Sequence, residues 1–208
     1  MCRMLMIREP QPFLIRPHLV EFADMCRRSR EYQGHGWGIA YRLDGKWQYY
    51  KDLRAIWDCD FRRFGEADFL AVHARSAFRN EGILLQNNMP FYDAKYLFMF
   101  NGELHGVRLK VPGRIGAEKI FNFIKRLNRG DLYTAFRKAT YIIGKQSQLV
   151  RAMNILMTDG QHIYLQSRFS EDPGYFTLYR RAGTGDAFCS QPLSGTWQAI
   201  ANHTTLVL

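Results

Sequence analysis

Cys2 is the residue of this chain best equipped for chemistry. Removal of Met1, which a small second side chain favours, would make Cys2 the amino terminus. Its thiol would then lie beside a free α-amine, a group that titrates at about 7.7–8.0 and can serve as a base near neutrality. A thiol of pKa ~8.5 becomes a strong nucleophile once deprotonated. Position alone does not separate such a cysteine from one that stands second by chance. Further polar groups recur in short segments: His35-Gly36 before Trp37-Gly38-Ile39-Ala40, then His73-Ala74-Arg75-Ser76, Asn88-Met89-Pro90-Phe91 and Phe100-Asn101-Gly102-Glu103-Leu104. An arginine such as Arg75 can fork a carboxylate, and the same residue can equally be a basic strand end. Asn101-Gly102 is either a hairpin turn or a pair of donors for a developing oxyanion. The residues that follow it lack the turn-then-strand alternation that a hairpin would show.

Read in order from Met1-Cys2-Arg3 to the late Ser190-Gln191-Pro192-Leu193 and Thr196-Trp197, this series resembles the class II glutamine amidotransferases. The nucleophile of that family is an N-terminal cysteine. The similarity spans nearly the whole chain and is closest to the family's small stand-alone branch. It implies that Cys2 Sγ attacks a side-chain carboxamide while the Cys2 α-amine relays the proton. It further implies that Asn101 Nδ2 and the Gly102 N–H hold the oxyanion, and that Arg75 holds the substrate's α-carboxylate. His35 and His73 receive no catalytic role, Trp37 is expected in the core, and Gly38 is expected where backbones approach closely. One position departs from the family pattern. An aspartate that would pair with the substrate's α-ammonium is replaced by Gly116, and Glu118, in the first turn of the following helix, is the substitute within reach. A first-turn glutamate is equally explained by the helix dipole.

The activity so implied is hydrolysis of the amide of glutamine or a γ-glutamyl-type compound, with release of ammonia or an amine and no cofactor. An acceptor for the ammonia would be a separate enzyme. Two other readings stand beside it: a catalytically impaired amidotransferase-like subunit, and a basic nucleic-acid-binding module. The second is motivated by 29 Lys+Arg against 19 Asp+Glu, a net charge of +10. The basic residues are scattered in small groups, such as Arg62-Arg63 and Arg180-Arg181, and no nucleic-acid-binding motif accompanies them. The four cysteines form no C-x-x-C pair, so neither a zinc site nor a disulfide framework is indicated. With no apolar run near the ~20 residues of a membrane span and no signal peptide, a cytoplasmic protein is expected.

The elements that would position these residues can be read from periodicity. Strands are expected at Cys2 to Ile7, Trp37 to Leu43, Trp47 to Lys51, Phe69 to Ala74 and Tyr96 to Phe100. Asp44-Gly45 reads as the hairpin turn between the second and third of these, and Asp159-Gly160 as another between Met153 to Met157 and His162 to Gln166. Helices are expected at Leu19 to Arg30, Ala117 to Leu127 and Leu132 to Ile143. Strands at Tyr175 to Tyr179, Ala187 to Ser190 and Thr205 to Leu208 complete the chain. With 208 residues and no linker, one domain over 1–208 is expected. The order of strands, helices and strands implies α+β layering. Joined to the resemblance, it implies a four-layer α/β/β/α Ntn-hydrolase sandwich: two antiparallel sheets flanked by helices.

Overall fold

Met4, Leu5, Met6 and Ile7 show no polar alternation, and all four are buried, as a strand covered on both faces requires. They belong to β1 (Arg3–Leu14) of a computed structural model that describes all residues 1–208. The chain forms two compact units, Met1–Pro90 with Thr177–Ile200, and Phe91–Phe176 with Ala201–Leu208. No helix in either is long and apolar enough to cross a membrane.

The first unit is built on a seven-stranded antiparallel sheet. After β1 come α1 (Ile15–Arg27), β2 (Trp37–Leu43), β3 (Lys46–Asp52) and β4 (Glu66–Ala74). The late segment adds β9 (Tyr179–Arg181), β10 (Asp186–Cys189) and β11 (Trp197–Ala199), in the order β11-β9-β10-β1-β4-β2-β3. One face of this sheet packs on α1. Leu5, Ile7, Trp37, Ile39, Leu70 and Val72 share a core with Leu19, Phe22, Ala23 and Cys26, the helix face that the periodicity picks out. The helix starts earlier than that periodicity suggests. Pro17 is compatible with its first turn, and the Ile15 N–H donates to the Gly65 carbonyl at 3.0 Å. The β2–β3 turn is the expected one: Asp44 and Gly45 have φ of 51° and 73°, the left-handed pair that a two-residue hairpin needs. Trp37 is a core residue, fully buried, with its Nε1 donating to Cys59 Sγ at 3.3 Å.

The second unit carries a five-stranded antiparallel sheet, completed in chain order by β5 (Phe91–Tyr92), β6 (Leu97–His105), β7 (Leu149–Thr158), β8 (Ile163–Ser167) and β12 (Thr204–Val207). Its strand order is β12-β8-β7-β6-β5. Between β6 and β7 lie α2 (Gly116–Leu127) and α3 (Leu132–Gln146). Helix α3 is capped by Asp131, whose carboxylate accepts the Thr134 N–H at 3.0 Å. Asp159 does join β7 to β8, through a longer loop than two residues: its Oδ1 accepts from the Gln161 and His162 amides at 2.9 and 2.7 Å. The expected strand at Tyr175 to Tyr179 is corrected. Pro173–Phe176 forms one helical turn, α4, because Pro173 suits a first helical position, and pairing resumes only at Tyr179.

Two glycines in this unit answer to different demands. A Cβ on Gly102 would lie 2.2 Å from the Ala152 carbonyl oxygen, so only glycine allows β6 and β7 to close there. A Cβ on Gly116, at the start of α2, would meet nothing within 4 Å. Gly102→Ala is therefore expected to destabilise by about 1–3 kcal/mol. Gly116→Ala is expected to be neutral or to stabilise by up to about 1 kcal/mol. Thermal unfolding of the two variants, with Tm moving in opposite directions or only for Gly102→Ala, checks the contrast.

Candidate active site

The registers of the first sheet bring distant segments to one end of it. Arg3 pairs with Ala74, and Ala74 pairs with Trp37, so the residues just before β1, just after β4 and just before β2 are neighbours. Cys2 immediately precedes the central strand. Its Sγ lies 3.7 Å from the Ser76 carbonyl, and the residue is half-buried. The Arg75 N–H donates to the Gly36 carbonyl at 2.9 Å, and the His35 N–H to the Arg75 carbonyl at 3.1 Å. Cys2 and Arg75 are thus brought together by pairing alone.

The positive charges around the thiol act against its burial, and the Glu31 carboxylate acts with it. Burial pushes the Cys2 thiol above its ordinary pKa, while the terminal ammonium, a backbone contact with Ser76 and the Arg75 guanidinium pull it down. The buried Cys26 and Cys189 are raised further, Cys189 to about 12, chiefly by burial.

Arg75 is 5% exposed and meets only neutral oxygens: Nη1 donates to the Gly82 carbonyl at 2.7 Å and Nη2 reaches the Glu81 carbonyl at 3.4 Å. No carboxylate pairs with it. Burial lowers its pKa, and Cys2 opposes that shift. A buried guanidinium without an anion is an electrostatic vacancy for one. His35 accepts the Ala77 N–H at Nδ1, at 2.9 Å. Its pKa is lowered first by burial, then by Arg75 and the terminal ammonium. Gly38 permits the close approach expected of it, since a Cβ there would lie 2.4 Å from the Met89 carbonyl oxygen.

Two residues with no sequence signal complete this end of the sheet. The Met1 ammonium is ion-paired with Glu31 at 2.7 Å. Gln33, fully buried, donates from Nε2 to the Met1 carbonyl at 2.7 Å and to the Glu31 carbonyl at 2.8 Å. Neither residue type nor spacing marks Glu31-Tyr32-Gln33 out. Only the pairing of β1, β2 and β4 makes them neighbours of the amino terminus.

In the second unit, Asn101 and Gly102 lie within β6, opposite Asn154 and Met153 of β7, and not in a turn. Asn101 is fully buried, and neither its amide nitrogen nor its oxygen has a hydrogen-bond partner. Such a group is rare without a function or a bound molecule to account for it. Glu118, the third residue of α2, is occupied. Its carboxylate accepts the Arg114 N–H at 2.6 Å and takes the Arg114 guanidinium on both oxygens, at 3.0 and 2.5 Å. Those bonds hold its pKa below the usual carboxylate range. No group of three or more His, Cys, Asp or Glu side chains is placed to hold a metal ion.

No family model and no curated protein sequence matches the chain. Solved structures do. A glutamine aminotransferase class-II domain protein from Silicibacter pomeroyi superposes with a TM-score of 0.69 at 16% identity, over 99% of this chain and 94% of that one. A predicted glutamine amidotransferase from Pseudomonas aeruginosa gives 0.63 at 17% identity, over 99% and 96%. Glutamine phosphoribosylpyrophosphate amidotransferase from B. subtilis gives 0.64 at 15% identity, over 91% of this chain and 42% of its own length. The chain thus has the α+β fold of the class II, Ntn-type glutamine amidotransferases, two antiparallel sheets with flanking helices.

Proposed function

We propose that this protein is an N-terminal cysteine amidohydrolase acting on the side-chain amide of glutamine or a γ-glutamyl compound. The observation that carries the reading is the buried, anion-free guanidinium of Arg75 beside the Cys2 thiol. The substrate's α-carboxylate is the anion for it. A planar fork suits a carboxylate, and the dry surroundings strengthen the pairing.

In this reading Met1 is removed and the Cys2 α-amine takes the thiol proton. Sγ then adds to the carboxamide carbon, and the carbonyl π electrons move onto oxygen. Asn101 Nδ2 and the Gly102 N–H are the donors assigned to that oxyanion; an amide held without partners needs no reorganisation to take up the task. Collapse breaks the C–N bond, the α-ammonium returns its proton to the leaving nitrogen, and ammonia or an amine departs. Water, deprotonated by the same amine, adds to the thioester, the thiol is regenerated and a carboxylate product leaves. Glu118 stays with Arg114 and takes no part. Released ammonia either leaves or passes to a separate acceptor enzyme.

Intact mass of the purified protein, before and after treatment with a glutamine analogue bearing an electrophilic δ-carbon, tests the reading. The expected result is loss of Met1 and a single adduct on Cys2; an unlabelled, fully folded protein would instead mark an impaired amidotransferase-like subunit. Cys2→Ala is expected to abolish amide hydrolysis with an unchanged circular dichroism spectrum. Arg75→Lys is expected to raise KM for glutamine by about 10–100-fold with a smaller fall in kcat, because it removes carboxylate binding common to the ground and transition states.

A further inference from the structure

The second sheet carries a row of three polar side chains, of which the mechanism above uses only the first. Asn101 of β6 stands opposite Asn154 of β7. The pairing of Ile155 with Gln166 and the bridge of Ala152 with Phe169 share one register, which puts Ser167 opposite Asn154 on the other side. Phe98 stacks on Phe121 of α2, and Tyr164 meets Phe136 of α3. By strand alternation the row therefore lies on the face turned away from both helices. All three residues are fully buried.

Neighbours of this kind ordinarily satisfy one another. Directly opposite side chains have Cβ atoms about 4.5–5.5 Å apart, within reach of a bond between two amides or between an amide and a hydroxyl. Here the outer two go without: both amide atoms of Asn101 and the Ser167 hydroxyl lack a partner. The middle residue is the reason. Asn154 Nδ2 donates to the Phe176 carbonyl at 2.6 Å, and its Oδ1 accepts the Arg168 N–H at 3.2 Å. The Phe176 carbonyl ends the single turn α4, where the last acceptors have no intrahelical donor. An amide bonded to backbone at both ends is fixed in its plane and cannot turn towards a neighbour.

We propose that Asn154 is a positioning residue: by engaging both ends of its amide on the backbone, it withholds the hydrogen bond that would tie down Asn101, and so keeps that amide free for the oxyanion. The inference rests on the amidohydrolase reading, in which Asn101 Nδ2 is an oxyanion donor, and adds to it a residue that acts only through Asn101. Ser167 supports the assignment. It stands opposite the same amide and is likewise unpartnered, so the withholding is a property of Asn154 and not of Asn101. The catalytic gain is one of preorganisation. A donor already bonded in the resting protein would have to break that bond as charge develops, whereas an unpaired one meets the oxyanion without loss.

Replacing Asn154 by serine and by alanine separates this role from a merely structural one. Both substitutions release the Phe176 carbonyl and the Arg168 N–H, and both are expected to lower Tm by similar amounts. They differ by one oxygen. The serine hydroxyl can accept from Asn101 Nδ2 or donate to its Oδ1, and alanine can do neither. With L-glutamine or γ-glutamyl-p-nitroanilide as substrate, Asn154→Ser is expected to have a kcat at least about tenfold below that of Asn154→Ala, at KM values within about twofold. Equal kcat for the two folded variants would overturn the proposal, and so would a difference confined to KM. Where a variant fails to fold, through-hydrogen-bond scalar couplings in the wild-type protein decide. A coupling from Asn154 Nδ2 to the Phe176 carbonyl carbon is expected; one between the Asn154 and Asn101 amides would overturn the proposal. A wild-type protein that hydrolyses neither substrate would instead end the amidohydrolase reading, and the catalytic role of Asn154 with it.

Discussion

A strand hydrogen-bonded along both edges cannot slide without breaking two ladders at once, and β1 is such a strand, held by β4 on one side and β10 on the other. Because its two faces are both buried, a slip of one residue would also exchange every side chain between them. The position of Cys2 is inherited from that register. So is the meeting of Arg75 with His35 and Ser76, because β4 ends where β1 begins and β2 begins there too. Ser190 extends the lock past the end of β10: its N–H and hydroxyl bond the Met4 carbonyl and N–H, and its carbonyl takes the buried Arg3 guanidinium at 2.9 Å. The late serine of the sequence series is therefore a clamp on the strand that carries the thiol.

Around that thiol the protein places positive charge against neutral acceptors. Backbone carbonyls orient the Arg75 guanidinium without cancelling it, as a paired carboxylate would. The net charge of +10 is a different matter. Part of it is engaged in separate ion pairs near the surface, as with Arg42 on Asp68 and Lys125 on Asp93, and such pairs contribute little to stability. The charge beside the Cys2 thiol, that of Arg75, is buried at the head of β1.

How far the sequence discloses this depends on the range of the cause. Asp44-Gly45 was legible because the left-handed pair is a property of two residues. The face of α1 was legible because burial on one side leaves a 3.6-residue trace. Tyr175 to Tyr179 misled because a single helical turn is too short to show a period, and Pro173 was the better guide. β5 and β11, two and three residues long, leave no pattern at all. The family resemblance singles out Cys2, Arg75, Asn101 and Gly102 by their order along the chain. That Asn101 lacks partners, or that Gly102 faces the Ala152 carbonyl, depends on strands about 50 residues apart in register. Glu31 and Gln33 were invisible for the same reason.

The topology of the first unit also bears on how the chain comes to be made. β1 stands near the amino terminus and its partner β10 spans Asp186–Cys189, so one edge of the central strand stays unpaired until almost the whole chain exists. Long-range pairing of this kind is slow, and a nascent chain carries the open edge throughout. During that interval Met1 is in solvent, not held by Glu31 and Gln33. Were the terminus trimmed, the cut would belong to synthesis, ahead of folding: once the sheet closes, the Met1–Cys2 bond lies behind an ion pair and a buried amide.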